Sequence, residues 1–136
     1  MGIYLFTGTT NTKIRRNNIH DFYTTTYRGY NWGIYYSSVT TTETEISNNV
    51  IYAIKGMGNP PSPVQYPLSG ICINEQGNVK IFNNTIYLTG NLLGYQTDGS
   101  ISSCIYVIGT TTSIDIRNNI LYNAMGRKPG STSTDN

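Results

Sequence analysis

Tyrosine is the side chain in this sequence with the clearest capacity to bind a ligand. The 136 residues include 12 tyrosines, against seven acidic residues and one histidine. Flat rings stack on sugar faces, and the tyrosine hydroxyl adds a hydrogen bond. We therefore predict binding of a polysaccharide or cell-surface glycan along rows of aromatic residues. The alternatives are sheet stabilisation by stacked rings and packing beneath the long loops. The candidate rows are Tyr4, Tyr35 and Tyr106; His20, Tyr52, Tyr87 and Tyr122; and Tyr27, Tyr30 and Trp32.

Catalytic and metal chemistry have little support in the sequence. Glycoside hydrolysis requires two carboxylates within reach of one bond, and the four aspartates are scattered between positions 21 and 135. The two cysteines, Cys72 and Cys104, form no CxxC motif, and His20 has no second histidine to pair with. This composition excludes a zinc site of the usual Cys/His type. We predict no catalytic site, no metal and no cofactor.

The composition also excludes several kinds of partner. A formal net charge of +2 is too small for an electrostatic grip on nucleic acid. No apolar run approaches the length needed to cross a bilayer. The start of the chain lacks a basic region and enters a strand-like pattern at once, so no signal peptide is visible in it.

An internal repeat organises the elements that must position these residues. One segment recurs four times with the pattern charged-Ile-x-x-Asn-x-Ile/Leu-aromatic, and its first isoleucines are spaced by 32, 35 and 35 residues. A second motif precedes each copy, beginning at Gly2, Gly33, Gly70 and Cys104. The copies of the first segment are Lys13–His20, Glu45–Tyr52, Lys80–Tyr87 and Asp115–Tyr122.

The repeat unit is made of strands. Val79, Ile81 and Ile86 alternate with the outward Lys80 and Tyr87, which is the period of a β-strand and not of a helical repeat. Each copy predicts three short strands, with the asparagine pair at a corner because asparagine tolerates the left-handed conformation. Stacked copies place equivalent residues about 4.8 Å apart. The predicted ladder of buried amides is Asn17, Asn49, Asn84 and Asn119.

The repeat resembles that of the parallel β-helix shared by pectate-lyase-like proteins and many secreted bacterial surface proteins, over roughly residues 2 to 124. The resemblance implies an all-β fold: a right-handed parallel β-helix, or β-solenoid, of about four coils with uncapped ends. In the lyases of this fold a carboxylate cluster on the first strand binds calcium, and a nearby arginine or lysine takes the proton. Here the outward positions of that strand are Tyr4, Tyr35, Cys72 and Tyr106, so the catalytic residues of the family are not carried over.

The same register makes two further predictions. The outward residues Lys13, Glu45, Lys80 and Asp115 alternate in sign, so stacking would place opposite charges over one another. Cys72 and Cys104 would lie two positions out of register, about 8 Å apart by the strand spacings. That separation is too large for an easy disulfide, and we predict free thiols.

We expect residues 1–126 to form one domain, belonging to a longer solenoid, and residues 127–136 to form a flexible tail. The predicted function is a non-catalytic extracellular or cell-surface segment with a structural, adhesive or carbohydrate-binding role. One alternative is a fragment of a polysaccharide lyase or glycoside hydrolase of the same fold. Another is a subunit that associates end to end with copies of itself, instead of with neighbouring coils of a longer chain.

Overall fold

The fold is described from a computed structural model, which covers residues 2–6, 10–23, 31–38, 42–56, 67–74, 77–92, 101–109 and 113–126. All regular structure in these ranges is β. The strands are β1 (Ile3–Leu5), β2 (Lys13–Arg15), β3 (Asn18–Ile19), β4 (Phe22–Tyr23), β5 (Trp32–Tyr36), β6 (Glu43–Ser47), β7 (Val50–Tyr52), β8 (Ile54–Lys55), β9 (Leu68–Asn74), β10 (Asn78–Phe82), β11 (Thr85–Asn91), β12 (Ser102–Ile108), β13 (Ser113–Arg117) and β14 (Ile120–Gly126).

The strands form parallel sheets in which each repeat contributes one strand to each sheet. Sheet A has the order β1-β5-β9-β12, sheet B the order β2-β6-β10-β13, and sheet C the order β3-β7-β11-β14. A short sheet D pairs β4 with β8. Repeat 1 therefore contains β1–β4, repeat 2 contains β5–β8, repeat 3 contains β9–β11 and repeat 4 contains β12–β14. No helix of the described residues is long and apolar enough to cross a membrane.

The register of the sheets follows the sequence repeat. Ile46 lies opposite Ile14 on one side and Ile81 on the other, and Ile81 lies opposite Ile116. Lys80 lies between Glu45 and Asp115 in the same sheet. The parallel stacking of repeats at equal positions, predicted from the spacing of the isoleucines, is confirmed.

The core lies between the sheets and consists mainly of isoleucine. Its main cluster takes inward positions of all three large sheets. In repeats 2 and 3 the central members have no exposed surface, because strands cover them on both sides. These fully buried residues include Ile34, Ile46, Ile51, Ile71, Ile81 and Ile86.

One corner of every repeat has a residue with left-handed backbone, immediately before the ladder asparagine. The φ values are 55° at Asn48, 56° at Asn83 and 54° at Asn118, and repeat 1 has Arg16 at 57° instead. Asparagine adopts this conformation at low cost, whereas other residues with a Cβ lose about 1 kcal/mol or more. Arg16 is therefore the strained member of the set.

Replacing Arg16 with asparagine should raise the free energy of unfolding by about 0.5–1 kcal/mol, because it removes most of this backbone strain. Urea denaturation followed by circular dichroism measures the change. Arg16→Ala is the matched control: it removes the same charge but keeps the strain, so its stability should stay near that of the unaltered chain. Equal stabilisation by both substitutions would contradict the backbone explanation.

The repeats differ after the aromatic residue that ends each copy of the repeated segment. Repeats 1 and 2 turn there through left-handed residues, Asp21 at 58° and Ala53 at 52°, and then form sheet D. Repeats 3 and 4 continue straight, so that β11 and β14 pair over seven residues. The predicted tail at 127–136 and most of the long loops lie outside the described residues.

A glycine occupies the same position of sheet A in three repeats, where the backbone passes close to an isoleucine of sheet C. The residues are Gly2, Gly33 and Gly70. In repeat 4, Cys104 replaces the glycine and Leu121 replaces the isoleucine. A Cβ added to Gly2, Gly33 or Gly70 would lie 2.8 Å from Ile19 Cγ2, 2.6 Å from Ile51 Cγ2 and 2.4 Å from Ile86 Cγ2, respectively.

Candidate functional site

The outer face of sheet C carries an exposed row of large apolar side chains. Tyr87 and Tyr122 lie opposite each other in the register, and each is 49% exposed. Their rings stack with centroids 4.8 Å apart at an interplanar angle of 13°. Val50 and Ile120 belong to the neighbouring outward column and are 43% and 67% exposed. We call these four residues the sheet C face.

The strand alternation explains why these side chains face outward. Ile86 and Leu88 of β11 point into the core and have no exposed surface, so Tyr87 between them and Thr85 before them point away from it. The face continues toward repeat 1, where the His20 ring stacks on Tyr52 at a centroid distance of 4.8 Å. Contiguous exposed apolar residues of this kind mark interaction surfaces more often than scattered ones do.

The predicted row of Tyr4, Tyr35 and Tyr106, on sheet A, is not an open face. Tyr4, Tyr35, Cys72 and Tyr106 do occupy one column of the register. However, Tyr35 is only 6% exposed and Cys72 has no exposed surface, because both pack with Trp32 in one buried cluster. This column is therefore largely a second packed cluster, and binding of a ligand along Tyr4, Tyr35 and Tyr106 stays a prediction.

Trp32 is the largest side chain of this buried cluster. Its ring stacks on Tyr35 at a centroid distance of 4.1 Å, and its Nε1 donates a hydrogen bond of 3.2 Å to the carbonyl of Pro67. Burial raises the pKa of Tyr35, although its hydroxyl also accepts a hydrogen bond from Asn74 Nδ2 at 2.6 Å. Tyr4 stacks on the other side of Tyr35 and is 48% exposed. Trp32 is 4% exposed, so it cannot serve as an open binding surface in this conformation.

The remaining predicted aromatic residues, Tyr27 and Tyr30, lie outside the described residues. Sequence reasoning did not single out Val50 and Ile120, which complete the sheet C face. The sequence does contain a signal for them. At this outward position repeats 1 and 3 have the polar residues Asn18 and Thr85, whereas repeats 2 and 4 have apolar residues.

The four ladder asparagines form a continuous chain of amide hydrogen bonds. The Nδ2–Oδ1 distances are 2.9 Å from Asn17 to Asn49, 2.9 Å from Asn49 to Asn84 and 3.0 Å from Asn84 to Asn119. The Oδ1 atoms of Asn49, Asn84 and Asn119 each also accept the backbone N–H of the ladder asparagine one repeat earlier, at 2.9–3.1 Å. Asn49 and Asn84 are buried, at 0% and 1% exposure, and their amides are fully satisfied by these bonds and by backbone carbonyls.

The carboxylates of the described residues are all beside basic groups. Arg15 donates hydrogen bonds to both carboxylate oxygens of Glu45. These bonds hold the pKa of that carboxyl below its ordinary value. The other pairs are Lys80–Glu43 at 2.7 Å, Arg117–Asp115 at 3.4 Å and His20–Asp21 at 2.6 Å.

The ion pairs of Arg15, Lys80 and Arg117 differ from the predicted ones, which joined equivalent positions of adjacent strands. The alternating column itself is present, with Glu45 between Lys13 and Lys80. The close contacts are nevertheless diagonal or along a strand, because Arg15 reaches Glu45 and Lys80 reaches Glu43. No three His, Cys, Asp or Glu side chains of the described ranges come together as a metal site.

Both cysteines are free and buried. Burial raises the pKa of the Cys72 thiol to about 12 from its ordinary value of 9.0, and also raises that of Cys104. The raised pKa of Cys72 has a defined effect on stability. The contribution of the Cys72 thiol to the free energy of unfolding is fully present below pH 9. It is lost as the pH rises from 9 towards 12, because the thiol ionises more easily in the unfolded chain.

We expect Cys72 to resist alkylation in the folded chain. A pKa near 12 instead of 9 lowers the thiolate fraction at neutral pH about a thousandfold, and burial also blocks the reagent. Iodoacetamide labelling read by peptide mass spectrometry should therefore modify Cys72 only in urea. Labelling of Cys72 at equal rates with and without urea would contradict the buried position.

Comparison of the chain with protein-family models, with curated proteins and with solved structures finds no match in any of the three.

Proposed function

We propose that this chain is a segment of a right-handed parallel β-helix of about four coils with open ends, similar to the pectate-lyase-like proteins. The parallel pairing of each repeat with the next supports the β-helix, since a chain that returns to the same side of three sheets must wind around a common axis. The right hand is the expected one, because parallel crossover connections are almost always right-handed.

The function that the geometry supports best is recognition of carbohydrate by a non-catalytic, extracellular or cell-surface β-solenoid segment. The observation that carries it is the sheet C face, where Tyr87 and Tyr122 are half exposed beside Val50 and Ile120. The pairing of the described carboxylates with basic groups gives the lyase or hydrolase alternative no comparable support. The extracellular location follows from the resemblance alone and is part of the same proposal.

The stacked geometry restricts how a sugar can bind. The inner faces of the Tyr87 and Tyr122 rings contact each other and are closed to a ligand. A pyranose can stack on the outer face of Tyr122, which belongs to the last strand of sheet C, and can accept hydrogen bonds from the two hydroxyls. The site thus favours the end or one edge of a glycan over a long flat stretch of it.

A glycan array with mass spectrometry of each bound polysaccharide tests this proposal. Binding should occur without cleavage and should weaken about tenfold or more in Tyr122→Ala and Tyr87→Ala. Tyr23→Ala is the matched control, since Tyr23 is 66% exposed but lies in sheet D. Binding that survives both substitutions would exclude this face, cleaved products would favour the enzyme alternative, and no binding to any glycan would remove carbohydrate recognition.

A further inference from the structure

The two outer edges of the stacked sheets differ in their exposure. In repeat 4 the core positions Ile116 and Leu121 are 44% and 48% exposed, although their register partners Ile81 and Ile86 have no exposed surface. This edge, formed by β12, β13 and β14, therefore presents apolar residues that another layer of strands would bury. We call it the repeat 4 edge. Exposed strand edges with apolar residues are sites for pairing with further strands.

The opposite edge, formed by β1, β2 and β3, has a concave surface. A depression of about 290 Å³ is lined entirely by residues of repeat 1, including Gly2, Asn17, Ile19 and Phe22. Ile19 occupies the register column that ends at Leu121. A strand layer that continued the register would therefore place Leu121 over this depression.

The amide ladder makes the two edges complementary as donor and acceptor. Each bond runs from an N–H of one repeat to the Oδ1 of the next, so the direction is the same at every step. Within the described ranges, the backbone N–H of Asn119 has no acceptor and Oδ1 of Asn17 has no donor. Asn119 of one molecule can thus donate to Asn17 of another, and Asn17 Nδ2 can reach the carbonyl of Ile116, as Asn49 reaches that of Ile14.

The outward charges of the two edges are also complementary, with one exception. The outward column reads Lys13, Glu45, Lys80 and Asp115, so a continued stack would place Asp115 against Lys13. The neighbouring column would place Arg117 near Arg15, which is unfavourable. Both of those guanidinium groups already contact a carboxylate, Asp115 and Glu45 respectively, which reduces the repulsion.

We propose that the repeat 4 edge binds the repeat 1 edge of a second copy of this chain, in parallel register. The contact joins two different surfaces of the molecule, so repetition of it gives linear oligomers and not a closed dimer. The interface comprises three extended parallel strand pairings, the continued amide ladder, and Leu121 in the depression beside Ile19. A second copy in this register would place His20 over the outer face of Tyr122, so self-association competes with the proposed stacking of a sugar on that ring.

Two variants, each blocked at one edge, test the proposal. Leu121→Lys places a charge at a half-exposed position of the repeat 4 edge. Asn18→Pro removes an N–H of the repeat 1 edge, since the carbonyl of Asn17 is bonded to Val50 and successive peptide groups alternate in direction. Sedimentation velocity should show oligomers of the unaltered chain that lengthen with concentration. For each variant the association constant should fall about tenfold or more.

An equimolar mixture of the two variants provides the decisive measurement. Each variant retains the edge that the other lacks, so the mixture should form a dimer and nothing longer. Oligomers of undiminished length in either variant alone, no dimer in the mixture, or an unaltered chain that stays monomeric at submillimolar concentration would each overturn the proposal. Circular dichroism confirms that every species tested is folded.

Charge reversals cover the case in which Asn18→Pro does not fold. Lys13→Glu and Asp115→Lys each place like charges at the junction and should weaken association severalfold. The double variant restores opposite charges and should associate more strongly than either single variant. A double variant that is the weakest of the three would contradict the register.

Discussion

Replacing Asn84 with alanine is expected to lower the free energy of unfolding by about 3–5 kcal/mol, the largest effect of any substitution in the ladder. Asn84 accepts two hydrogen bonds from Asn49 and donates to Asn119 Oδ1 and to the carbonyls of Ile46 and Phe82. Removing its side chain leaves the buried Asn49 donors without their acceptor. The cost is high because water cannot reach these groups, and each unsatisfied buried group costs about 1–3 kcal/mol.

The matched control is Asn17→Ala, which removes the same side chain at the edge of the ladder. Asn17 is partly exposed and its Oδ1 accepts no bond within the described part of the chain, so solvent can replace what is lost. We expect a cost of about 1 kcal/mol or less. Urea denaturation monitored by circular dichroism, at a concentration where the chain is monomeric, measures both. Equal losses at the two positions would show that burial of the ladder does not determine its contribution.

Replacing Gly70 with alanine is expected to lower the free energy of unfolding by about 3 kcal/mol. The added Cβ would lie 2.4 Å from Ile86 Cγ2 and 2.8 Å from the carbonyl oxygen of Cys104. Because that carbonyl belongs to a neighbouring strand of sheet A, it cannot move without disturbing the pairing. The side chain of Ile86 has no exposed surface and no free space to rotate into.

Repeat 4 suggests how to recover part of this loss. There the glycine is replaced by Cys104, and the isoleucine of sheet C is replaced by Leu121, which has no methyl group on its Cβ. Gly70→Ala combined with Ile86→Leu should therefore be more stable than Gly70→Ala alone, by about 1 kcal/mol. Thermal denaturation of the single and double variants provides the comparison. A double variant whose loss equals the sum of the single losses would mean that the Ile86 methyl group is not the obstacle.

Sequence reasoning succeeded where the structure is periodic. The spacing of the isoleucines fixes the register of three sheets, because a slip of one residue would turn every buried isoleucine toward solvent. The asparagine positions follow from that register. Features that occur once in the chain were not predictable in the same way. Trp32 stacks on Tyr35 and is buried with it, and nothing in the repeat pattern of Tyr4, Tyr35 and Tyr106 indicates that a residue outside that pattern would pack there.

The ion pairs and the sheet C face illustrate a second limit. The column of Lys13, Glu45 and Lys80 was predictable, but long side chains choose partners by reach, and Arg15 approaches Glu45 with two donors at once. Similarly, the tyrosines of sheet C were predicted, whereas their exposure depends on whether another side chain packs against them as Trp32 packs against Tyr35. Pattern determines which way a side chain points; packing determines whether anything covers it.

The uniform direction of the amide ladder gives the molecule an electrical polarity. Every side-chain carbonyl from Asn49 to Asn119 points toward repeat 1, so the amide dipoles add instead of cancelling, as peptide dipoles do along a helix. The Asn17 end of the row is negative and the Asn119 end is positive. Aligned dipoles also polarise one another, so each bond gains strength from the others. The central amides of the row are consequently held more firmly than the terminal ones, and a longer row would bind its next member more tightly than a shorter one.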